Sequence, residues 1–143
     1  MTETRVVAKT IIVNSESKVL LLRRSASDSR RPLQWDIPGG HTDGDELAEE
    51  AAAREAHEEA GIILRERQLR LIYTDCTLVP EGLNVVWLFF IGYTDRPTVT
   101  LSTEHDQYRW VTIDEALELI EYERQNKVFA YVRDNDLLGP PDA

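Results

Sequence analysis

With 143 residues, 42% of them hydrophobic and 29% charged, the chain has the size and composition of one globular domain whose folding hides roughly two-thirds of its surface. Sixteen basic against 26 acidic residues give a formal charge of −10, which argues against generic binding to nucleic-acid backbones or anionic membranes. The one cysteine, Cys76, excludes an internal disulfide or a multi-cysteine metal site, and no stretch approaches the roughly 20 apolar residues that span a membrane.

Met1 to Arg5 lacks a basic region followed by an apolar run, so no secretory leader is expected and a cytoplasmic protein is the simplest expectation. Arg5 to Val13 is β-branched and reads as a strand, Asn14 to Ser17 as a turn, and Lys18 to Arg23 as the returning strand of a hairpin. Ser25 to Pro32 is polar and basic, an expected loop. Trp35 to Gly40 reads as a short strand ending in a glycine turn, and Asp45 to Ala60 as a helix stopped by Gly61. Gln68 to Asp75 and Asn84 to Tyr93 read as strands joined through Thr77 to Leu83, with Pro80 and Gly82 in the connection. A short strand follows at Gln107 to Val111. Thr112 and Glu115 match a capping box that starts a helix through Ile120. A last helix is expected over Tyr122 to Val132, before a tail containing Gly139, Pro140 and Pro141. No internal repeat, linker or second domain is evident, and the order of elements points to a layered α/β domain.

The acid is concentrated. Asp43 to Glu59 holds eight acidic residues and one basic residue, Arg54. At about 100° per residue, with Leu47 set at zero, Ala51, Ala48 and Ala52 fall near 40°, 100° and 140°, while Glu58, Glu55 and Glu59 fall near 20°, 80° and 120°. Three carboxylates therefore share a sector with small apolar residues, whereas an ordinary amphipathic helix keeps charge on the opposite side. Such charges repel, and more so when partly buried. A compensating cation is needed. Arg54 projects to about 340°, at the edge of the sector, so a hard divalent ion with oxygen ligands fits better. The alternative is a solvated acidic helix face. The Gly39-Gly40 pair allows close backbone approach to a ligand, and a free carbonyl there could complete an oxygen shell.

Gly40, Glu46 and the run Arg54-Glu55-Ala56-His57-Glu58-Glu59-Ala60-Gly61-Ile62 together resemble the Nudix box, G-x5-E-x7-R-E-U-x-E-E-x-G-U, where U is a bulky apolar residue. Trp35, Pro38 and Gly39 resemble the family's lead-in. Ala56 departs from the pattern, being smaller than U, which implies different packing under the helix. The resemblance implies an α/β/α sandwich of the Nudix type, with a mixed β-sheet and a central catalytic helix. It implies hydrolysis of nucleoside diphosphates linked to another group, with Mg2+ (or Mn2+) as cofactor and a small-molecule nucleotide as substrate. Gly40, Glu55, Glu58 and Glu59 are implied as metal ligands, and Glu55, Glu58 and Arg54 as catalytic machinery, with Glu46 the acidic partner that orients Arg54.

Glu104, just before the strand that carries Trp110, is the candidate for the extra carboxylate that many relatives place after the box, as ligand or base; an exposed loop glutamate is the competing reading. His105 could carry a proton near neutral pH. Arg23 and Arg24 end the second strand, where relatives hold substrate phosphates, and strand alternation sends one inward and one outward. Trp35 is the candidate for stacking on a base, with Tyr73, Trp87 and Phe89 as further rings for which core packing is the better expectation. Cys76 lacks an activating partner and reads as a buried or loop thiol. Small size favours nucleoside triphosphates or dinucleoside polyphosphates as substrates. The competing function is a non-catalytic Nudix-fold nucleotide-binding or regulatory module, against which stands the intact set of box glutamates. An isoprenyl-diphosphate isomerase would need a cysteine motif and an altered box, neither of which is present. A homodimer is a further expectation of the family.

Overall fold

The computed structural model describes residues 2–80 and 82–139; Pro140 and Pro141 of the expected tail lie outside them. Seven strands form one mixed sheet: β1 (Glu3–Val13), β2 (Val19–Arg24), β3 (Trp35–Asp36), β4 (Gly39–His41), β5 (Arg70–Val79), β6 (Leu83–Tyr93) and β7 (His105–Val111). Helix α1 (Ala48–Ala60) covers one face, and α2 (Ile113–Leu119) and α3 (Glu123–Asp134) cover the other, giving an α/β/α sandwich.

Strand alternation assigns the two cores. Val19, Leu21, Ile11, Val13, Phe89 and Ile91 face α2 and α3, where they meet Val128, Phe129 and Val132. Their neighbours Leu20, Leu22, Ile12 and Phe90 face α1. That helix contributes Ala51, Ala52, Ala56 and Ala60, all fully buried. Ala56 is therefore small because the helix lies close on bulky sheet residues. Gly61 ends α1 in the left-handed conformation, and its N–H, with that of Ile62, closes on the carbonyls of His57 and Ala56.

The sheet splits at its centre. β1 runs parallel to β6 over eleven paired residues, but meets β2 only at Val13 and Val19. Beyond that point the hairpin splays. β2 turns to pair with β3 and β7, while β1 pairs with β4. The chain from Asp36 to Gly39 crosses the gap, tied by the Thr10 N–H to Pro38 O at 2.9 Å. This opening carries polar groups into the interior.

Most expected elements are present, with shifted ends. Helix α1 begins at Ala48 rather than Asp45, because Asp43 to Leu47 forms a turn in which the Glu46 N–H donates to Asp43 O. β5 and β6 extend through most of the expected Thr77–Leu83 connection as a long hairpin. The capping box at Thr112 is formed on both sides: its hydroxyl accepts from the Glu115 N–H at 3.2 Å, and Glu115 accepts from the Thr112 N–H at 3.1 Å. Cys76 is neither buried nor in a loop. It is exposed on β5.

Candidate active site

The carboxylates of α1 are graded by depth. Glu59 is 5% exposed, Glu55 is mostly covered, and Glu58 is more than half exposed. The order follows the helical angles, because Glu59, near 120°, lies next to the buried alanines and Glu58, near 20°, lies at the rim. Glu55 packs on Gly40, where a Cβ would lie 2.9 Å from Glu55 Oε1; the glycine leaves room for the carboxylate. Gly39 adopts φ +147°, and a Cβ there would sit 2.2 Å from Ala8 O, so only glycine lets the chain pass β1 this closely. The Gly39 N–H donates to Glu59 Oε1 at 3.2 Å.

Arg54 pairs with the outer part of the set. Its Nε and Nη2 donate to the two oxygens of Glu46 at 2.7 and 3.0 Å, its Nη1 to Glu55 at 2.9 Å and Glu58 at 3.2 Å, and its Nη2 also to His41 O at 3.1 Å. Glu46, held by this guanidinium and by the Asp43 N–H, is pulled down to about 2. Arg54, at the edge of the sector, pairs with the neighbouring carboxylates in the way the resemblance implies. The long guanidinium reaches both Glu55 and Glu58, and what it does not reach is Glu59.

Glu59 lines a cleft of about 490 Å³ together with Lys9, Arg24, Ser25, Ser27, Asp28, Ser29, Gly39, Thr103, Glu104 and His105. Burial is the largest influence on its carboxyl and raises it. The nearby Lys9 ammonium and the Gly39 N–H oppose this, the Glu55 carboxylate adds to it, and the result is about 9. The segment after residue 98 is anchored to the end of α1 and the end of β2: Thr100 N–H to Ala60 O at 2.9 Å, Ser102 N–H to Glu59 O at 3.2 Å, and Ser25 N–H to Glu104 O at 3.0 Å. Glu104 is exposed, but its backbone is fixed at the cleft wall.

The floor of the cleft is a buried ion network that sequence reasoning did not single out. Lys9, 7% exposed, donates from Nζ to Asp36 Oδ1 at 3.3 Å and to Ile37 O at 3.1 Å. Asp36, 1% exposed, also accepts from Arg24 at 2.7 Å and from Gln125 Nε2 of α3. Arg24 in turn holds Asp28 at 2.6 Å. Burial pushes the Asp36 carboxyl up, but Lys9, Arg31, Gln125 and Arg24 outweigh it and hold it well below the usual carboxylate range. A visible signal was available: a lysine in the middle of the apolar run Val6 to Val13 needs an acidic partner.

The structure separates the three substrate-binding candidates. Arg24 points into the cleft. Arg23 points to the opposite face, where it makes a two-pronged, half-exposed pair with Asp106 at 2.8 and 3.0 Å. Trp35 pairs with Arg23 across the strands, shares its face, and packs against the core beneath α2 and α3. Tyr73, Trp87 and Phe89 also belong to that core; Phe89 is fully buried, and the Arg124 guanidinium lies 4.4 Å from the Trp87 ring centre. His105 does not suit the role of proton carrier, because burial lowers it to about 4 and leaves it neutral near pH 7.

Comparison with known proteins bears on this arrangement directly. The profile of the NUDIX domain matches residues 3–132. The chain belongs to the Nudix hydrolase family. It is 35% identical over 115 residues to the asymmetrical bis(5'-nucleosyl)-tetraphosphatase of Rattus norvegicus, an alignment covering 77% of this chain and 74% of that one. It is 31% identical over 96 residues to an 8-oxo-(d)GTP phosphatase of Mycolicibacterium smegmatis, covering 66% of this chain but only 28% of that larger protein. Among solved structures, the MutT protein of Methanosarcina mazei Go1 superposes with a TM-score of 0.77 at 29% identity, over 94% of this chain and 96% of that one. The Nudix box of this chain is thus the Gly40-to-Ile62 segment that carries the graded carboxylates.

Proposed function

We propose that this Nudix chain hydrolyses a diphosphate linkage in a nucleoside diphosphate joined to another group, using a divalent cation, with nucleoside triphosphates and dinucleoside polyphosphates as the first substrates to test. The observation that carries this reading is Glu59, a buried carboxylate that no guanidinium or ammonium pairs directly among the described residues, facing a polar cleft. Burial makes its anionic form costly, and a cation in the cleft would offset that cost. The donor set fits such an ion: Glu59, Glu55 and Glu58 of α1, with the Gly40 carbonyl, are all oxygens of the kind Mg2+ and Mn2+ take. When bound, the cation would supply charge neutralisation at phosphate oxygens and an activated water.

The chain's own residues account for the rest. Arg54 fixes Glu55 and Glu58 in place through Glu46. Arg24 and Lys9 give the cleft positive charge, and Ser25, Ser27 and Ser29 line it with hydroxyls, a combination suited to phosphate oxygens. Glu104, at the wall, is the candidate extra carboxylate, as cation ligand or general base. The relatives named above act on dinucleoside tetraphosphates and on oxidised guanine nucleotides, which supports the substrate preference.

The test is a panel of nucleoside triphosphates, dinucleoside polyphosphates and nucleotide sugars incubated with Mg2+, with products identified by mass. Cleavage between phosphates is expected, lost in chelator and restored by added Mg2+. Full activity in chelator, or no cleavage of any panel member, overturns the reading.

A further inference from the structure

The cleft holds one polar atom that the proposed hydrolysis leaves unused. His105 begins β7, and its side chain is 3% exposed. Its Nδ1 is buried without a hydrogen-bond partner among the described residues. Such an atom costs free energy unless something occupies its lone pair or its proton. The nearest acidic group is Glu59, with Oε2 at 3.8 Å, too far for a hydrogen bond. One ligand atom each from Glu59, Glu104 and His105 lies within 4.8 Å of the others. An ion with bonds of about 2.0–2.2 Å draws its ligand atoms to roughly 3–4 Å from one another, so the Glu59–His105 pair already has the required spacing. Only the exposed Glu104 side chain must close in.

We propose that His105 Nδ1 is a nitrogen ligand to the cation that Glu59 holds, with Glu104 closing in beside it, and that this added donor makes the position take a transition ion such as Mn2+ or Co2+ in preference to Mg2+. The proposal rests on the cation-dependent reading above and adds a donor that the box does not supply. Three features support it. Mg2+ favours six oxygens and keeps its waters, whereas imidazole suits transition ions. The Nδ1 atom is buried 3.8 Å from Glu59 Oε2, and no hydrogen-bond donor or acceptor among the described residues competes for it. The backbone on both sides of the position is already fixed, because Ser102 is bonded to Glu59 and Glu104 to Ser25.

The test uses the full-length, metal-depleted protein labelled with 15N-histidine, loaded with Mn2+ without substrate and examined by pulsed electron paramagnetic resonance. The chain has three histidines, and His57 is exposed on α1, so His57→Gln is the control. A 15N coupling to Mn2+ is expected in the unsubstituted protein and in His57→Gln. It is expected to vanish in His105→Asn, with Mn2+ affinity by calorimetry falling at least about tenfold and Mg2+ affinity falling much less. If Mn2+ binds with no histidine coupling in the unsubstituted protein, this inference is overturned while the hydrolase reading stands; that result does not depend on any variant folding. If no divalent ion binds and chelator leaves hydrolysis intact, both fail.

Discussion

The shallow end and the deep end of one carboxylate cluster solve the same electrostatic problem differently. At the rim, Glu46, Glu55 and Glu58 share a single guanidinium, so their repulsion is answered within the protein. At the deep end, Glu59 faces a cleft with Lys9 close enough to act on it but committed to Asp36 and Ile37. Each rim carboxylate is paired, although three of them on one guanidinium stay net negative. The deep carboxyl is not paired in this way, and its raised value of about 9 expresses the difference. The lesson is that a count of clustered carboxylates does not by itself argue for a metal. A carboxyl left without a paired cation once the local one has been assigned does, and here that carboxyl is Glu59.

If this division is right, Glu59→Gln is the most damaging substitution for function. Turnover should fall by at least about 10²-fold, and divalent-cation affinity should fall with it. Stability in chelator should change little, since without a cation the buried carboxyl, raised to about 9, is already neutral near pH 7. A variant with near-normal kcat, or one that binds Mn2+ as before, would erase the distinction between the two ends. The next largest effect is expected on stability, at the network beneath the cleft. Asp36→Asn strands Lys9 and Arg24 beside a neutral amide and should cost about 3–5 kcal/mol, read from the urea midpoint. The pH dependence has a definite sign. The folded carboxyl of Asp36 lies below its unfolded value of about 4, so its stabilisation is complete above that pH and drains away as pH falls toward the folded value. Acid unfolding of the unsubstituted protein should therefore steepen below about pH 4, and Asp36→Asn should lose that part of the slope.

The rim was legible in the sequence and the floor was not. Glycine spacing, the Arg-Glu pair and the helical angles of Glu55, Glu58 and Glu59 are local properties, and local periodicity fixes which side of α1 each residue occupies. The capping box at Thr112 was legible for the same reason. Lys9, Asp36 and Gln125 come from a strand, the start of the glycine turn and the last helix. They meet only because β1 and β2 part after Val13 and Val19, and no periodicity encodes a splayed hairpin. Alternation required that one of Arg23 and Arg24 face inward without saying which; the register shift in the β2–β7 ladder between Arg23 and Arg24 accompanies the outcome. His105 was noticed as a titratable group, but its burial, which removes it from proton transfer at neutral pH, is a tertiary property.

Arg54→Lys probes the rim more gently. Lysine keeps the charge but not the planar fork that serves Glu46, Glu55 and Glu58 at once. Turnover should fall roughly ten- to a hundredfold with cation affinity reduced less than in Glu59→Gln, because the outer carboxylates lose their orientation and not their charge. A loss as large as that of Glu59→Gln would mean that the two ends act as one unit, and a double substitution would then show strong non-additivity.

The smallest effect should come from Arg23→Ala. Arg23 and Asp106 form a well-aligned pair, yet both are about one-third exposed and stand on the face of the sheet away from Glu59. Exposed pairs contribute about 0–1 kcal/mol, and the arginine that lines the cleft is its neighbour Arg24. Arg23→Ala should therefore leave KM for a nucleoside triphosphate within about twofold, while Arg24→Ala raises it by several-fold through the loss of a phosphate contact of roughly 1.5–3 kcal/mol at most. Matched steady-state kinetics on the two variants decide the point: equal losses would mean that substrate bridges both faces of the split sheet, and a larger loss at Arg23 would move the phosphate subsite out of the cleft altogether.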